Sequence, residues 1–473
     1  MNNISTILVI GDIILDSYCF GNVSRISPEA PVPVLLKKAE TDSLGGAANV
    51  AGNLVAAGVN VHLASVIGKD EKGSRVKKLL SEKGINSDLI IECTDRMTTQ
   101  KSRYLTPSGY QLLRVDDEVT TPITEENEDK LISMIDDRIL NYSVIVFSDY
   151  LKGVLTSTLM QRVIKLGKEN NIPVLVDIKD RRIEKYKDAF LLKPNRIELK
   201  EISGMPVESA EQVESAARSI LKATNCEYVL VTLGGEGMML VTDKETKTIP
   251  SIPVEVYDVS GAGDTAMAYL AASIGEGLTV SDSTAIANYA ASIQVSKVGT
   301  SVVSRVEVDR LMRNVAGEKI RKVVEYSELE RIRKENKSVV FTNGCFDILH
   351  IGHIRYLESI SKLGDILVVG INSDESVRRL KGPERPINCV SDRVEMLSAY
   401  SFIDYIVVFD EDTPIEIIKA LRPDILAKGA DYKRKEDVVG WDVVTSYGGK
   451  VVLADYIEGK STSSIVSKIR TEK

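Results

Sequence analysis

At 473 residues, with 43% hydrophobic and 27% charged residues, the chain is too long for one ordinary core and reads as a soluble globular protein of two or more domains. A formal net charge of −8 excludes a nucleic-acid-coating surface, which needs a basic stripe, while local Lys and Arg can still build single phosphate sites. The five cysteines are scattered without a C-x-x-C pair, which excludes a disulfide framework and a Cys-rich zinc site and fits the reduced thiols of a cytoplasmic protein.

The opening apolar run, Ile7 to Leu15, is broken by Asp12 and followed by Asp16. It lacks the basic start and small-residue cleavage site of a signal peptide. No uninterrupted apolar stretch is long enough to span a bilayer. Ile7–Ile10, Val144–Phe147, Val174–Val176 and Tyr228–Val231 read as buried strands, and the small-residue segments Ala47–Ala57, Thr265–Ile274 and Ser281–Val295 as closely packed helices. This alternation predicts βα units around a parallel sheet. Pro31–Leu36 and Thr98–Val115 instead alternate polar with apolar residues, as antiparallel strands covering a site do.

A charged stretch follows the last small-residue helix. Its later half spaces Tyr326, Leu329 and Ile332 helically. A second alternation then runs through Val339–Thr342, Ile366–Ile371, Tyr405–Phe409, Ile425–Lys428 and Val451–Ala454. The expected division is therefore a first domain over 1–318, a charged linker or helix over 319–337, and a second domain over 338–473.

Within the first domain, D-V-S-G-A-G-D-T (Asp258–Thr265) precedes a helix. Gly261, Ala262 and Gly263 can turn successive N–H groups toward one spot at that helix start, an anion-binding nest, with Asp264 placed to accept a proton. Alone, the motif reads equally as an Asp-capped helix after a glycine turn. Four more segments end strands, where open α/β sheets bind ligands. Gly11–Asp16 offers Asp12 and Asp16 to sugar hydroxyls, and Leu44–Asn49 offers Gly45, Gly46 and Asn49. Lys193–Glu198 and Val231–Gly237 complete the ordered set.

On these residues, about 1–315 resembles the ribokinase, or PfkB-type, carbohydrate kinase family. The resemblance implies a three-layer α/β/α domain with a β-strand lid and a homodimer formed through the covering strands. It makes Asp264 the base and Gly261, Ala262 and Gly263 the N–H donors facing the γ-phosphate of ATP. Asn195, Arg196, Ile197 and Glu198 match the N-x-x-E element, which organises Mg2+ and phosphate through water. Gly234 and Gly237 line the nucleotide pocket, with Asn288 near the adenine. Val259 and Ser260 stand where Thr is common in the family. Ser24–Val34 and Ser148–Gly153 look like the heptose 7-phosphate kinase branch, whose phosphosugar needs fixed cations. Lys101, Arg103 and Arg114 are candidates, with a solvated basic sheet face as the equal alternative.

In the second domain, two of the three histidines fall in F-T-N-G-C-F-D-I-L-H-I-G-H, Phe341–His353. His350 and His353 flank the first turn of an expected helix, Ile351–Leu363, where two imidazoles beside a positive helix end can grip an α-phosphate. A zinc reading lacks Glu or Cys partners at ligand spacing. Gly459–Ser461 imitates the end of a P-loop, but Ala454 stands where its first glycine is required. The segment from Val339 onward resembles the cytidylyltransferase-like superfamily, G-x-F-D-x-x-H-x-G-H, with Gly344, Phe346, Asp347, His350, Gly352 and His353 in place. The resemblance implies a Rossmann-like nucleotidyltransferase. In it, Thr342, Asn343, Gly344, Cys345 and Phe346 contact nucleotide, as do Lys381, Lys428, and Ser463 and Ser464 of the tail Ser461–Arg470. Arg385 is a further cation, and Asn372–Asp374 approach ribose or base.

The two domains in this order resemble the bifunctional heptose 7-phosphate kinase and heptose 1-phosphate adenylyltransferase family. Phosphosugar and ATP are then the partners, with no nucleic acid or membrane. CTP at the second site, or one domain serving as a non-catalytic nucleotide sensor, are the rival expectations.

Overall fold

A computed structural model describes residues 5–297, 301–315, 322–333, 337–429, 432 and 434–454. The chain forms two compact units, Met1–Met312 and Arg313–Lys473.

The first unit is organised by a nine-stranded sheet. From one edge its strands are Thr246–Ile249, Met238–Val241, Tyr228–Thr232, Leu191–Leu192, Val174–Asp177, Val144–Ser148, Thr6–Gly11, Asn60–Gly68 and Asn86–Cys93. All run parallel from Tyr228–Thr232 onward, and the first two form an antiparallel edge hairpin. The apolar runs are continuous because both faces are covered. Successive side chains point to opposite faces, so Leu8, Ile10, Ile145 and Phe147 enter one core while Ile7, Val9, Val144 and Val146 enter the other. That is the three-layer α/β/α arrangement.

The small-residue helices Ala47–Ala56, Ala262–Gly275 and Val280–Val295 all pack in the second of these cores. Their alanines let backbones approach closely, which brings the starts of the first two helices together at the sheet's carboxyl edge. A separate four-stranded lid has the order Pro33–Gly46, Ile13–Ile26, Gln100–Leu105, Gln111–Asp117. Three of these strands, Pro33–Gly46, Gln100–Leu105 and Gln111–Asp117, answer to the expected covering segments. The run starting at Ile13, read from sequence only as a segment following the first strand, leaves the main sheet at Asp12 and becomes a lid strand. Gln100–Leu105 pairs parallel with it, so the lid is mixed and not purely antiparallel.

The second unit holds a parallel five-stranded sheet in the order Tyr405–Phe409, Ile366–Asn372, Val339–Gly344, Ile425–Gly429, Lys450–Ala454. Strand order reverses beside Val339–Gly344, which opens a ligand crevice at the carboxyl ends of that strand and Ile425–Gly429. The expected helix in the charged stretch is Tyr326–Arg333, and it buries Leu329 and Ile332 in this unit's core. Ahead of it, Val323 bridges Ile406 at the sheet edge. The tail bearing Ser463 and Ser464, together with Gly459–Ser461, lies outside the described residues.

Candidate active sites

Asp264 sits in the first turn of the helix Ala262–Gly275, whose N-cap Gly261 adopts φ 76°. That left-handed turn suits glycine and aims the helix's free N–H groups into the site. The carboxylate is buried and doubly held: Asn49 Nδ2 donates to one oxygen at 2.7 Å and the Tyr150 hydroxyl to the other at 2.8 Å. Burial pushes its pKa up, and these two donors pull it back down. A cavity of about 200 Å³ opens beside it, lined by Tyr150, Asp177, Lys179, Lys193, Asn195, Glu198, Gly261 and Gly263 among others.

A second cavity of about 390 Å³ shares Thr232 and Gly263 with the first. Gly234, Gly237 and Asn288 line it, with Val254, Val256 and Val259 as apolar wall, a shape suited to a purine beside its phosphates. Asn288 Nδ2 is committed to the Pro250 carbonyl at 2.8 Å. A larger groove lies among Pro173, Phe190 and Tyr228, at the amino ends of the strands and away from this chemistry.

Asn195 and Glu198 form a capping box. The Asn195 side chain accepts from the Glu198 amide at 2.9 Å, and Glu198 accepts from the Asn195 amide at 2.7 Å. Burial raises the Glu198 pKa. Arg196 is drawn to Glu236 and the Val207 carbonyl, and Ile197 is 69% exposed, so neither side chain enters the cavity lining.

Asp12 departs from the expectation that it meets sugar hydroxyls. Its carboxylate accepts the amides of Tyr150, Lys152 and Val154 at 3.0, 3.0 and 3.1 Å and so anchors the loop that delivers Tyr150 to Asp264. Asp16 remains on the lid face, where a Cβ on Gly45 would meet its Oδ2 at 2.2 Å. Lid register aligns Asp16, Lys101 and Asp116 in one row and Tyr18, Arg103 and Arg114 two residues along, hence on the same face. Arg103 pairs with Asp16 at 2.5 Å and Arg114 with Asp116 at 2.9 Å. Among the described residues Lys101 makes no ion pair, and burial lowers its pKa.

In the second unit His350 is the N-cap of the helix Ile351–Ser361, and its ring stacks on His353 at 3.9 Å. Burial, then the charges of His350 and Lys381, push the His353 pKa down to about 4. The buried Lys428 ammonium donates to both the carbonyl and side-chain oxygens of Asn343, at 2.9 and 2.5 Å, and burial lowers it to about 8. Among the described residues its hydrogen-bond partners, the two Asn343 oxygens, are neutral. Thr342 shares its hydroxyl with Tyr356, Gly344 lies against the Phe346 ring, and the Cys345 thiol faces Asn372.

Phe346 takes φ 48°, a strained turn for a bulky residue. Fully buried Arg393 holds that turn by donating to the Cys345 and Asn372 carbonyls and to Asp374. Asp347 accepts the amides of Ile387 and Asn388 and pairs with Arg385 at 2.5 Å, so Arg385 is not an open phosphate cation. Asn372 and Asp374 are likewise engaged within the scaffold. Among the described residues no cluster of three or more His, Cys, Asp or Glu side chains could hold a metal ion.

Comparison with known proteins matches residues 5–306 to the pfkB family carbohydrate kinases and 341–467 to the cytidylyltransferase-like family. The Bifunctional protein HldE of Syntrophotalea carbinolica is 45% identical over 98% of this chain and 95% of its own length. That of Campylobacter curvus is 45% identical over 98% of both. The chain belongs to the HldE family. It is an enzyme that combines a carbohydrate kinase with a nucleotidyltransferase, and nucleoside triphosphate is a substrate of such chemistry.

Solved structures similar to this HldE-family chain include Arabidopsis thaliana ribokinase complexed with ribose and ATP, at TM-score 0.54 and 22% identity over 66% of this chain and 99% of that one. Escherichia coli phosphofructokinase-2 in complex with potassium gives 0.56 and 19% over 66% and 99%. At such identity the likeness shows the fold. Sequence reasoning missed Tyr150, Asp177 and Lys179 as lining of the cavity beside Asp264, although Tyr150 lies in the Ser148–Gly153 motif and Asp177 ends a strand. No helix among the described residues is long and apolar enough to cross a membrane.

Proposed function

We propose that the first unit phosphorylates C1 of D-glycero-β-D-manno-heptose 7-phosphate with MgATP, and that the second transfers AMP from ATP to heptose 1-phosphate, giving ADP-heptose and pyrophosphate. The kinase is assigned to 1–318 and the transferase to 338–473, with 319–337 joining them. The observation that carries the reading is the doubly held Asp264 carboxylate, set at a glycine-capped helix start beside a cavity.

Asp264 takes the C1 hydroxyl proton as that oxygen attacks the γ-phosphorus. Gly261, Ala262 and Gly263 supply N–H groups to the phosphoryl oxygens, and the electron pair of the breaking bond leaves on ADP. Gly234, Gly237 and Asn288 take the adenine side. Mg2+ would come with ATP and neutralise phosphate charge, and Asn195 and Glu198 are the residues that would hold it through water. Asp16, Gly45, Gly46 and Asn49 meet the sugar, and Lys101, with Arg103 and Arg114, its 7-phosphate.

In the second unit the attacking phosphate is already anionic, so no base is needed, and charge stabilisation is the catalytic task. His350, His353, Lys381 and Lys428 serve it, and Thr342–Phe346 seat the nucleotide. We further place the enzyme in the cytoplasm as a homodimer joined through the lid, whose Ile26, Leu36 and Leu113 are more than half exposed. Its mass in solution tests the dimer. Mass spectrometry of products from each heptose phosphate, with ATP or CTP, tests the function. ADP-heptose from ATP is expected, and CDP-heptose or no nucleotide sugar would refute the second assignment.

A further inference from the structure

The cavity beside Asp264 is unbalanced in charge. Three carboxylates line it, Asp177, Glu198 and Asp264, against two ammonium groups, Lys179 and Lys193. Lys193 is spoken for: its ammonium lies 2.7 Å from Asp177, and both side chains are almost wholly buried. Burial alone would lower the Lys193 pKa, but Asp177 outweighs it and holds the charge in place. Such a desolvated pair is fixed structure, not a spare cation.

Lys179 is differently placed. It lies two residues beyond the strand Val174–Asp177, at the carboxyl edge of the sheet, and its side chain is only half-buried. Its ammonium rests over the Tyr150 ring, 3.6 Å from the centroid, and among the described residues it makes no ion pair. A cation on an aromatic face is held far more weakly than by a phosphoryl group. Tyr150 thus parks the ammonium at the lip of the cavity while its hydroxyl holds the base.

We propose that Lys179 is a catalytic residue of the kinase, moving from the Tyr150 ring onto the γ-phosphoryl oxygens during transfer. In that step the C1 oxygen forms its bond to phosphorus and its proton passes to Asp264. The bond to the bridging oxygen breaks with its electron pair on ADP, and Lys179 neutralises charge without exchanging a proton. The inference rests on the kinase reading above but not on the identity of the sugar.

Lys179→Met and Lys179→Arg in the full chain test it. Far-UV circular dichroism and urea unfolding of the same preparations report whether the kinase unit of each variant is folded. We expect Lys179→Met to lower kinase kcat by roughly 10²–10³-fold at every pH, with a much smaller change in KM for ATP, and Arg to restore part of the loss. A kcat within about threefold of the unaltered chain overturns the proposal. So does a loss that vanishes at high pH, because Lys179 would then only keep Asp264 ionised. If the unaltered chain phosphorylates a different sugar, the substrate assignment falls, and the same comparison on that sugar still decides Lys179.

Discussion

Asp264 is held by contacts that reach across the chain, and this makes its acidity adjustable from outside its own helix. The Tyr150 hydroxyl lowers a pKa that burial has raised. Tyr150→Phe removes that donor, so the carboxylate protonates at higher pH. On the proposed mechanism Asp264 works as a base only when ionised, so activity is lost on the acid side. The acid limb of the kinase kcat–pH profile is therefore expected to move to higher pH, and an unmoved limb would show that Tyr150 does not tune the base. The Asp264 and His350–His353 motifs were legible in sequence because each is a run of neighbouring residues whose turn and helix start are local. Tyr150 and Lys179 were not, because Tyr150 meets Asp264 far along the chain and Lys179 reaches the same cavity only through the fold. Asp12 was misjudged for the same reason: its partners are backbone amides of a distant loop, to which no motif points.

Helix starts are the working elements in both units, and the one at Gly46 is the most constrained. Gly46 has φ 60°, and a Cβ there would stand 2.3 Å from the Asp12 carbonyl oxygen. That carbonyl accepts the Ala47 amide at the first turn of the helix bearing Asn49. Gly46→Ala is expected to cost about 1–3 kcal/mol of stability and to depress phosphorylation by displacing Asn49 from Asp264. Urea unfolding and kinase assays check this, and a variant of unchanged stability and activity would contradict it. The buried strands and small-residue helices named from sequence match the structure to within a few residues, since buried apolar runs and small-residue helices have distinct textures. That Ile13–Ile26 forms a lid strand was not legible, because Ile7–Leu15 is one nearly continuous apolar run. Only the turn of Asp12 toward the loop at Tyr150 divides it.

At the scale of the whole chain, two phosphate-handling sites with different chemistry share one polypeptide. On the proposed reactions they cannot pass the sugar directly from one to the other. The first product carries phosphate at C1 and C7, and the second reaction needs the C7 phosphate gone, so a phosphomonoester hydrolysis must intervene. The sites should then fail independently. The direct measurement is the rate of each half-reaction in Asp264→Asn and His353→Ala, each as a folded full-length protein. The account predicts that Asp264→Asn loses phosphorylation by about 10²–10⁴-fold and keeps adenylyl transfer. His353→Ala should do the reverse, by about 10²–10³-fold. Equal loss of both activities from either substitution would contradict it.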